Sequence, residues 1–223
     1  MAVYTNIEKD ELEHFLKNYN IGNLIKYEEI AEGVENSNFK IFTSKDTYIL
    51  TIFEKRVSSN DLPFFIELMN YLDSKKYKCP KPIADTNGNY ISYLKKKPCT
   101  IVSFIKGKWI RNIKNIHCQQ LGNNLAKLHT LTKSFKLKRE NSMGYHTWDN
   151  LFNNFRAEKN MQYKEIYKII LDELAFLSSN WPKNLPSGII HADLFQDNVF
   201  FEDDTFTGVI DFYFACNDYY AYE

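Results

Sequence analysis

The segment IIHADLFQDNVFFEDDTFTGVIDFYF occupies residues 189–214. Short apolar runs and polar stretches alternate along it. Ile189-Ile190 opens a strand, His191 to Asn198 is polar at most positions, and Val199-Phe200-Phe201 is apolar again. Glu202-Asp203-Asp204 has turn composition, and Val209-Ile210 runs into Asp211. The stretch predicts strand, loop, strand, turn, strand, with Asp193, Asn198 and Asp211 carried to one end of a rigid hairpin. Asp197, Asp203 and Asp204 read as solvated turn residues, and Phe195, Phe200, Phe201 and Phe214 as core.

Asn198 lies five positions after Asp193, giving a His-x-Asp-x-x-x-x-Asn frame that matches the catalytic loop of protein kinases. Asp211 ends the following strand, where kinases carry the aspartate of their Asp-Phe-Gly element. Phosphoryl transfer needs positioning and charge neutralisation more than covalent help. Asp193 is placed to accept a hydrogen bond from an acceptor hydroxyl and aim it. Asn198 and Asp211 offer the oxygen ligands that Mg2+ prefers. A lone His-x-Asp is usually structural; the full frame followed by Ile-Asp-Phe is far more specific.

The 223 residues suffice for one large or two small domains. At 44% hydrophobic and 16% aromatic the chain is globular rather than disordered. Lysine plus arginine and aspartate plus glutamate both number 28, so there is no electrostatic footprint for nucleic acid or an anionic membrane. Cys79, Cys99, Cys118 and Cys216 show no Cys-x-x-Cys or zinc spacing. Reduced thiols in a cytoplasmic protein account for them. The N-terminus has no signal-peptide pattern, and no apolar run has membrane-spanning length.

Leu12, Phe15, Leu16 and Tyr19 mark one face of a helix over 8–19, with Gly22 as its stop. Residues 24–53 read as three strands, with the loop GVENSN between the first two and a Ser44-Lys45-Asp46 turn before the third. This is the layout of a nucleotide lobe. Gly33, Asn36, Ser37 and Asn38 would let backbone amides approach phosphates, although most such clusters are plain turns. Kinases carry a phosphate-holding lysine on the third strand, but Thr51 stands at that position here. Either Lys55 supplies the charge, or the register differs, or the charge is missing; Lys55 is the favoured candidate. A helix over 58–76 buries Phe64, Phe65, Leu68, Met69 and Leu72, and carries Glu67, which could pair with the phosphate lysine, although a glutamate on an amphipathic helix more often faces solvent.

Asn87-Gly88 predicts a hairpin between Pro82-Ile83-Ala84 and the run from Tyr90. Lys95-Lys96-Lys97 reads as a solvated hairpin turn. The strand Cys99–Ile105 reaches a hinge, where Ser103, Phe104 and Ile105 would read an adenine edge with backbone groups. The division falls at about residue 106: a nucleotide lobe over 1–105 and a catalytic lobe over 106–223. Helices follow over 113–131, 148–158 and 163–180, the last with Ile166, Ile169, Ile170, Leu174 and Leu177 on its apolar face. His129 reads as structural. The fold class is α+β and bilobal, with an antiparallel N-terminal sheet lobe and a mostly helical C-terminal lobe.

MAVYT, AEGVENSNF, YILTIFEKRV, DLPFF, CPKP, HADLFQDNVFF and IDFYFACND together resemble the aminoglycoside phosphotransferase-like kinases. EGVENSNF, FEKRV and DFYFACND resemble the homoserine kinase branch. The resemblance implies a protein-kinase-like fold, Asp193 as catalytic base, and Asn198 and Asp211 as Mg2+ ligands. It also implies phosphorylation of L-homoserine by ATP to O-phospho-L-homoserine, on the route to threonine. Members of the family continue further past the position of Asp211 than the twelve residues found here, so the C-terminal lobe reads as truncated.

Three other functions compete with homoserine phosphorylation. A kinase for choline, a sugar or an aminoglycoside would share the same catalytic set, because acceptor choice lives in pocket contacts. A homoserine site needs a cation for the substrate carboxylate, and Arg56, Arg111, Arg139 and Arg156 are the only arginines. An inactive nucleotide-binding fragment would fit Thr51, but folding does not require Asp193, Asn198 and Asp211 together. A protein kinase would need an activation segment and an Ala-Pro-Glu element, for which no room follows Asp211.

Overall fold

The structure is a computed structural model that describes residues 4–31, 35–54, 57–157 and 163–223. Helix α1 (Lys9–Leu16) precedes strands β1 (Leu24–Ile30), β2 (Ser37–Thr43) and β3 (Thr47–Ile52). Helix α2 (Leu62–Ser74) follows, then β4 (Pro82–Ile83), β5 (Ser92–Leu94) and β6 (Lys97–Ser103). The C-terminal half holds α3 (Asn115–Leu131), α4 (Tyr145–Ala157) and α5 (Lys164–Asn180), then β7 (Ser187–Ile190), β8 (Val199–Glu202), β9 (Thr205–Val209) and β10 (Cys216–Tyr219). This is the expected mixed architecture, an antiparallel sheet followed by helices.

The sheet runs β1-β2-β3-β6-β4, with β5 also paired to β6. Strand β2 alternates buried and half-buried positions along its whole length, the period-two pattern of a strand with one inward face. Its Phe39 and Ile41 meet Leu50, Ile52, Cys99 and Ile101 from the neighbouring strands, and α1 adds Leu12, Phe15 and Leu16. Helix α1 ends at Leu16, earlier than expected. Gly22 serves the β2–β3 turn instead: at φ +88° it lies where an added Cβ would sit 2.5 Å from Ser44 Oγ.

A second core joins the halves. Phe64, Phe65, Leu68, Met69 and Leu72 of α2 pack with Leu128 of α3, Ile189 of β7 and Val199, Phe201, Phe206 and Val209 of β8 and β9. Each such side chain stabilises the fold by about 1.5–3 kcal/mol on burial. Helix α2 therefore packs directly against the β8–β9 hairpin.

Three sequence expectations change. Asn87-Gly88 does not close a hairpin, because β4 and β5 both pair with β6, side by side along its length. Asp85 organises that loop instead, its Oδ1 accepting the Asn87 and Asn89 amides at 2.8 Å each. The tight hairpin is at Lys95 and Lys96, both with positive φ, as the lysine triplet suggested. On α5, Ile166 and Ile169 are 50% and 62% exposed, leaving Ile170, Leu174 and Leu177 half-buried on the inner side. Asp204 is exposed yet engaged: it accepts from Lys114 Nζ at 2.9 Å and meets buried His117 Nε2 at 2.9 Å, tying the start of α3 to the β8–β9 turn. Among the described residues no helix is long and apolar enough to cross a membrane.

Candidate active site

Strand β7 is hydrogen-bonded to β10, and β8 to β9. The stretch from His191 to Asn198 thus lies between two small sheets, and His191 stitches them together. It is fully buried, and its Nε2 lies 2.9 Å from the Ile210 carbonyl, the residue before Asp211. A carbonyl only accepts, so Nε2 carries the proton and donates. Burial pushes the imidazole down to about 4, with the Ile210 contact opposing. The ring is therefore neutral at ordinary pH, and it packs edge-on against Phe212 at 4.7 Å.

Ala192 and Asp211 both adopt left-handed backbone, at φ +64° and +61°. Each such non-glycine residue costs about 1–3 kcal/mol, so neighbouring contacts must hold it. The Glu223 carboxylate accepts the amides of His191 at 2.8 Å and Ala192 at 3.3 Å. The Tyr213 backbone opposes the burial of charge on the Asp211 carboxyl.

Asn198 closes the loop. Its Nδ2 donates to the Asp193 carbonyl at 2.8 Å and to Asp193 Oδ2 at 3.0 Å. Its carbonyl accepts the Ile210 amide at 3.0 Å, which sets Asn198 beside Asp211. With Nδ2 turned to Asp193, the amide oxygen Oδ1 is the atom Asn198 has for a cation. Asp211 is raised to about 6, first by burial and then by the negative charge of Asp193, with Glu35 and Asp197 adding and the Tyr213 amide opposing. Three acidic neighbours and low solvation make this a place where a cation is favourable. Among the described residues no group of three or more His, Cys, Asp or Glu side chains is placed to hold a metal. The donor set is hard and oxygen-only, and incomplete without phosphate oxygens or water, which is how magnesium sites are usually built.

The other expected site residues are scattered. Gly33 and Lys55 lie outside the described residues. Asn36 and Ser37 are buried and their side chains are occupied: Ser37 Oγ accepts the Tyr4 and Thr5 amides and donates to Glu54 Oε1 at 2.7 Å. Asn36 Oδ1 accepts the Glu54 amide at 3.4 Å. Glu67 is solvent-exposed on α2. At the expected hinge, the Ser103 amide donates to the Lys81 carbonyl at 2.8 Å and the Phe104 amide to Thr47 at 3.2 Å. The Phe104 ring lies under Lys40 Nζ at 3.9 Å, and Ile105 is half-buried over Gly208, where no Cβ would fit easily. Phe195, expected in the core, is 70% exposed two positions after Asp193, because the loop turns there into a short 3-10 segment.

Sequence reasoning missed Glu223, Glu54 and Tyr213. Glu54 binds Thr5, Ser37 and Lys97 together. A glutamate directly after the apolar run Ile49–Phe53 was the available signal, since an acid at the end of a buried strand needs partners.

The model of the phosphotransferase enzyme family matches residues 26–223. The homoserine kinase of Bartonella henselae is 46% identical over 223 residues, covering all of this chain and 70% of that protein. The homoserine kinase of Rhizobium meliloti is 47% identical, again over the whole chain and 68% of its own length. Among solved structures, the amicoumacin kinase hAmiN in complex with AMP-PNP, Ca2+ and Ami superposes with a TM-score of 0.70 at 16% identity, over 96% of this chain and 66% of that one.

Proposed function

The chain belongs to the phosphotransferase enzyme family, and from that premise we propose that it transfers the γ-phosphoryl group of ATP to the hydroxyl of L-homoserine, giving O-phospho-L-homoserine. Identity at 46–47% with proteins named homoserine kinase, across every residue of this chain, carries the choice of acceptor. The convergence of Asp193, Asn198 and Asp211 supports the chemistry.

In this reaction Asp193 accepts the hydrogen bond of the homoserine hydroxyl and holds it in line with the γ-phosphorus. The proton passes to Asp193 as the oxygen–phosphorus bond forms, and ADP leaves. The Asn198 amide fixes the Asp193 carboxylate so that one oxygen stays turned to its neighbour and the other to the acceptor. Asp211 and Asn198 Oδ1 would hold Mg2+, which on binding neutralises charge on the β- and γ-phosphates. The six-stranded sheet and the segment after β6 would cover the nucleotide, with Asn36, Ser37, Ser103, Phe104 and Ile105 nearby in sequence terms, and Gly33, Lys55 and Glu67 completing the proposed nucleotide set.

ADP release with ATP, Mg2+ and L-homoserine, compared with choline and an aminoglycoside, tests this. Homoserine-dependent release that disappears in Asp193→Asn is expected. Equal or greater release with another acceptor would move the protein to a different substrate.

A further inference from the structure

The ends of three strands meet where the chain enters β2. Ser37 opens β2 and lies opposite Ile52, the last residue of β3, which lies opposite Cys99 near the start of β6. Glu54 follows β3 at this end of the sheet, Lys97 begins β6, and Thr5 stands on the segment before α1. Thr51, at the place of the kinase phosphate lysine, is three positions before Glu54 and opposite Asn38.

Counting protons shows how tightly the cluster is specified. Glu54 Oε1 accepts the Thr5 hydroxyl at 2.6 Å and the Ser37 hydroxyl at 2.7 Å, and Oε2 accepts Lys97 Nζ. Lys97 Nζ also donates to Thr5 Oγ1 at 2.7 Å. With its one proton on Glu54, Ser37 Oγ keeps two lone pairs, and they accept the Tyr4 and Thr5 amides at 2.9 and 3.0 Å. The Glu54 amide donates to Asn36 Oδ1 at 3.4 Å. Ser37 is fully buried, and the Glu54 side chain is 9% exposed. A buried ion pair is often matched in stability by apolar residues of the same volume. What the cluster adds is a fixed geometry. Glu54 holds Asn36 with its backbone and Ser37 with its carboxylate, the two residues that lead into β2.

We infer that Glu54, itself held by Lys97 and Thr5, is a positioning residue for the nucleotide: it fixes Asn36 and Ser37 so that the chain leading into β2 meets the phosphates in one arrangement. The inference rests on the nucleotide site proposed above. Without this hold only a fraction of molecules keep that arrangement, and the apparent Kd rises by the inverse of the fraction.

Calorimetric binding of AMP-PNP with Mg2+, well below each variant's melting temperature, tests this apart from turnover and folding. Ser37→Ala and Thr5→Val each take one hydroxyl from Glu54 and should raise Kd about five-fold, the worth of one hydrogen bond. Lys97→Met takes the charged donor and should raise it about ten-fold. Thr5→Ser keeps the hydroxyl and should bind as wild type does. The ATP KM should rise in step with Kd, while kcat and the L-homoserine KM stay within about two-fold. If Ser37→Ala and Thr5→Val lower the melting temperature but leave Kd unchanged, Glu54 only braces the sheet and the inference is overturned, with the nucleotide site intact. An equal rise in the ATP and L-homoserine KM values means general loosening and overturns it too. If the wild-type chain binds no AMP-PNP, the nucleotide site falls and the inference falls with it.

Discussion

Asn198 Nδ2 lies 3.0 Å from Asp193 Oδ2 and 2.8 Å from the Asp193 carbonyl, so one amide grips both ends of the same residue. The Asp193 rotamer is set before any substrate arrives. Such preorganisation is where a phosphotransferase has most to gain, because the chemistry is chiefly positioning.

Removing the base and removing its clamp should differ. Asp193→Ala should lower kcat by roughly 10²–10⁴ with little change in ATP affinity. Asn198→Asp should also lower kcat, but by setting a second carboxylate against Asp193 and raising the pair's proton affinity. Its loss should be partly recovered at higher pH, and that of Asp193→Ala should not. Initial rates between pH 6 and 9 distinguish the two.

Asp211 predicts a pH dependence in the cation-free protein. Its carboxyl titrates at about 6, so Mg2+ should bind about tenfold more weakly at pH 5 than at pH 7. A folded value raised above the unfolded one means that ionisation costs the folded state. That cost is absent below pH 4 and complete above pH 6. Asp211→Asn should therefore stabilise the cation-free protein by about 3 kcal/mol at pH 7.5, and not at pH 4, while abolishing turnover. Thermal melts in EDTA at both pH values check the sign.

Glu223 holds the amides of His191 and Ala192, and burial raises its own proton affinity against those two bonds. It also stands 3.5 Å from His129 Nε2, whose ring stacks on Tyr220 at 4.1 Å. Glu223→Gln can accept one amide but turns an NH2 toward the other. It should cost about 1–3 kcal/mol of stability, and lower kcat more than the ATP KM because Ala192 directly precedes Asp193. Melting curves beside steady-state kinetics measure both.

The grouping of Asp193, Asn198 and Asp211 was legible because three residues within 19 positions are brought together by one hairpin, and the strand periodicity around them is plain. The sheet was legible for the same reason: β1, β2 and β3 pair in sequence order. The Thr5–Ser37–Glu54–Lys97 network was not, because its members come from three strands' ends and the N-terminal segment, and no local spacing links them. Phe195 was misplaced because an apolar residue in a loop carries no periodicity to say which way it faces. Asn87-Gly88 misled because Asp85, two positions earlier, offered the backbone a competing set of bonds.

Arg139 looked in sequence like one of four cations able to meet a substrate carboxylate, and the fold commits it elsewhere. Its Nε donates to Asp61 Oδ2 at 2.8 Å, and its two NH groups reach Ser142 Oγ and the carbonyls of Phe214 and Ala215. Its guanidinium lies 4.9 Å from the centre of the Phe65 ring. A 610 Å³ cavity lined by Asn60, Asp61, Arg139 and His146 opens beside it. The planar fork joins the start of α2 to the chain just past Asp211, and a lysine cannot reproduce four divergent contacts. Arg139→Lys should lose about 2–4 kcal/mol, since Asp61 and two carbonyls are left without their donor. Asp61→Asn should cost less, because the carbonyl contacts survive. If the two substitutions lower the melting temperature equally, the Asp61 pair alone carries the effect, and the tether to Phe214 and Ala215 contributes nothing.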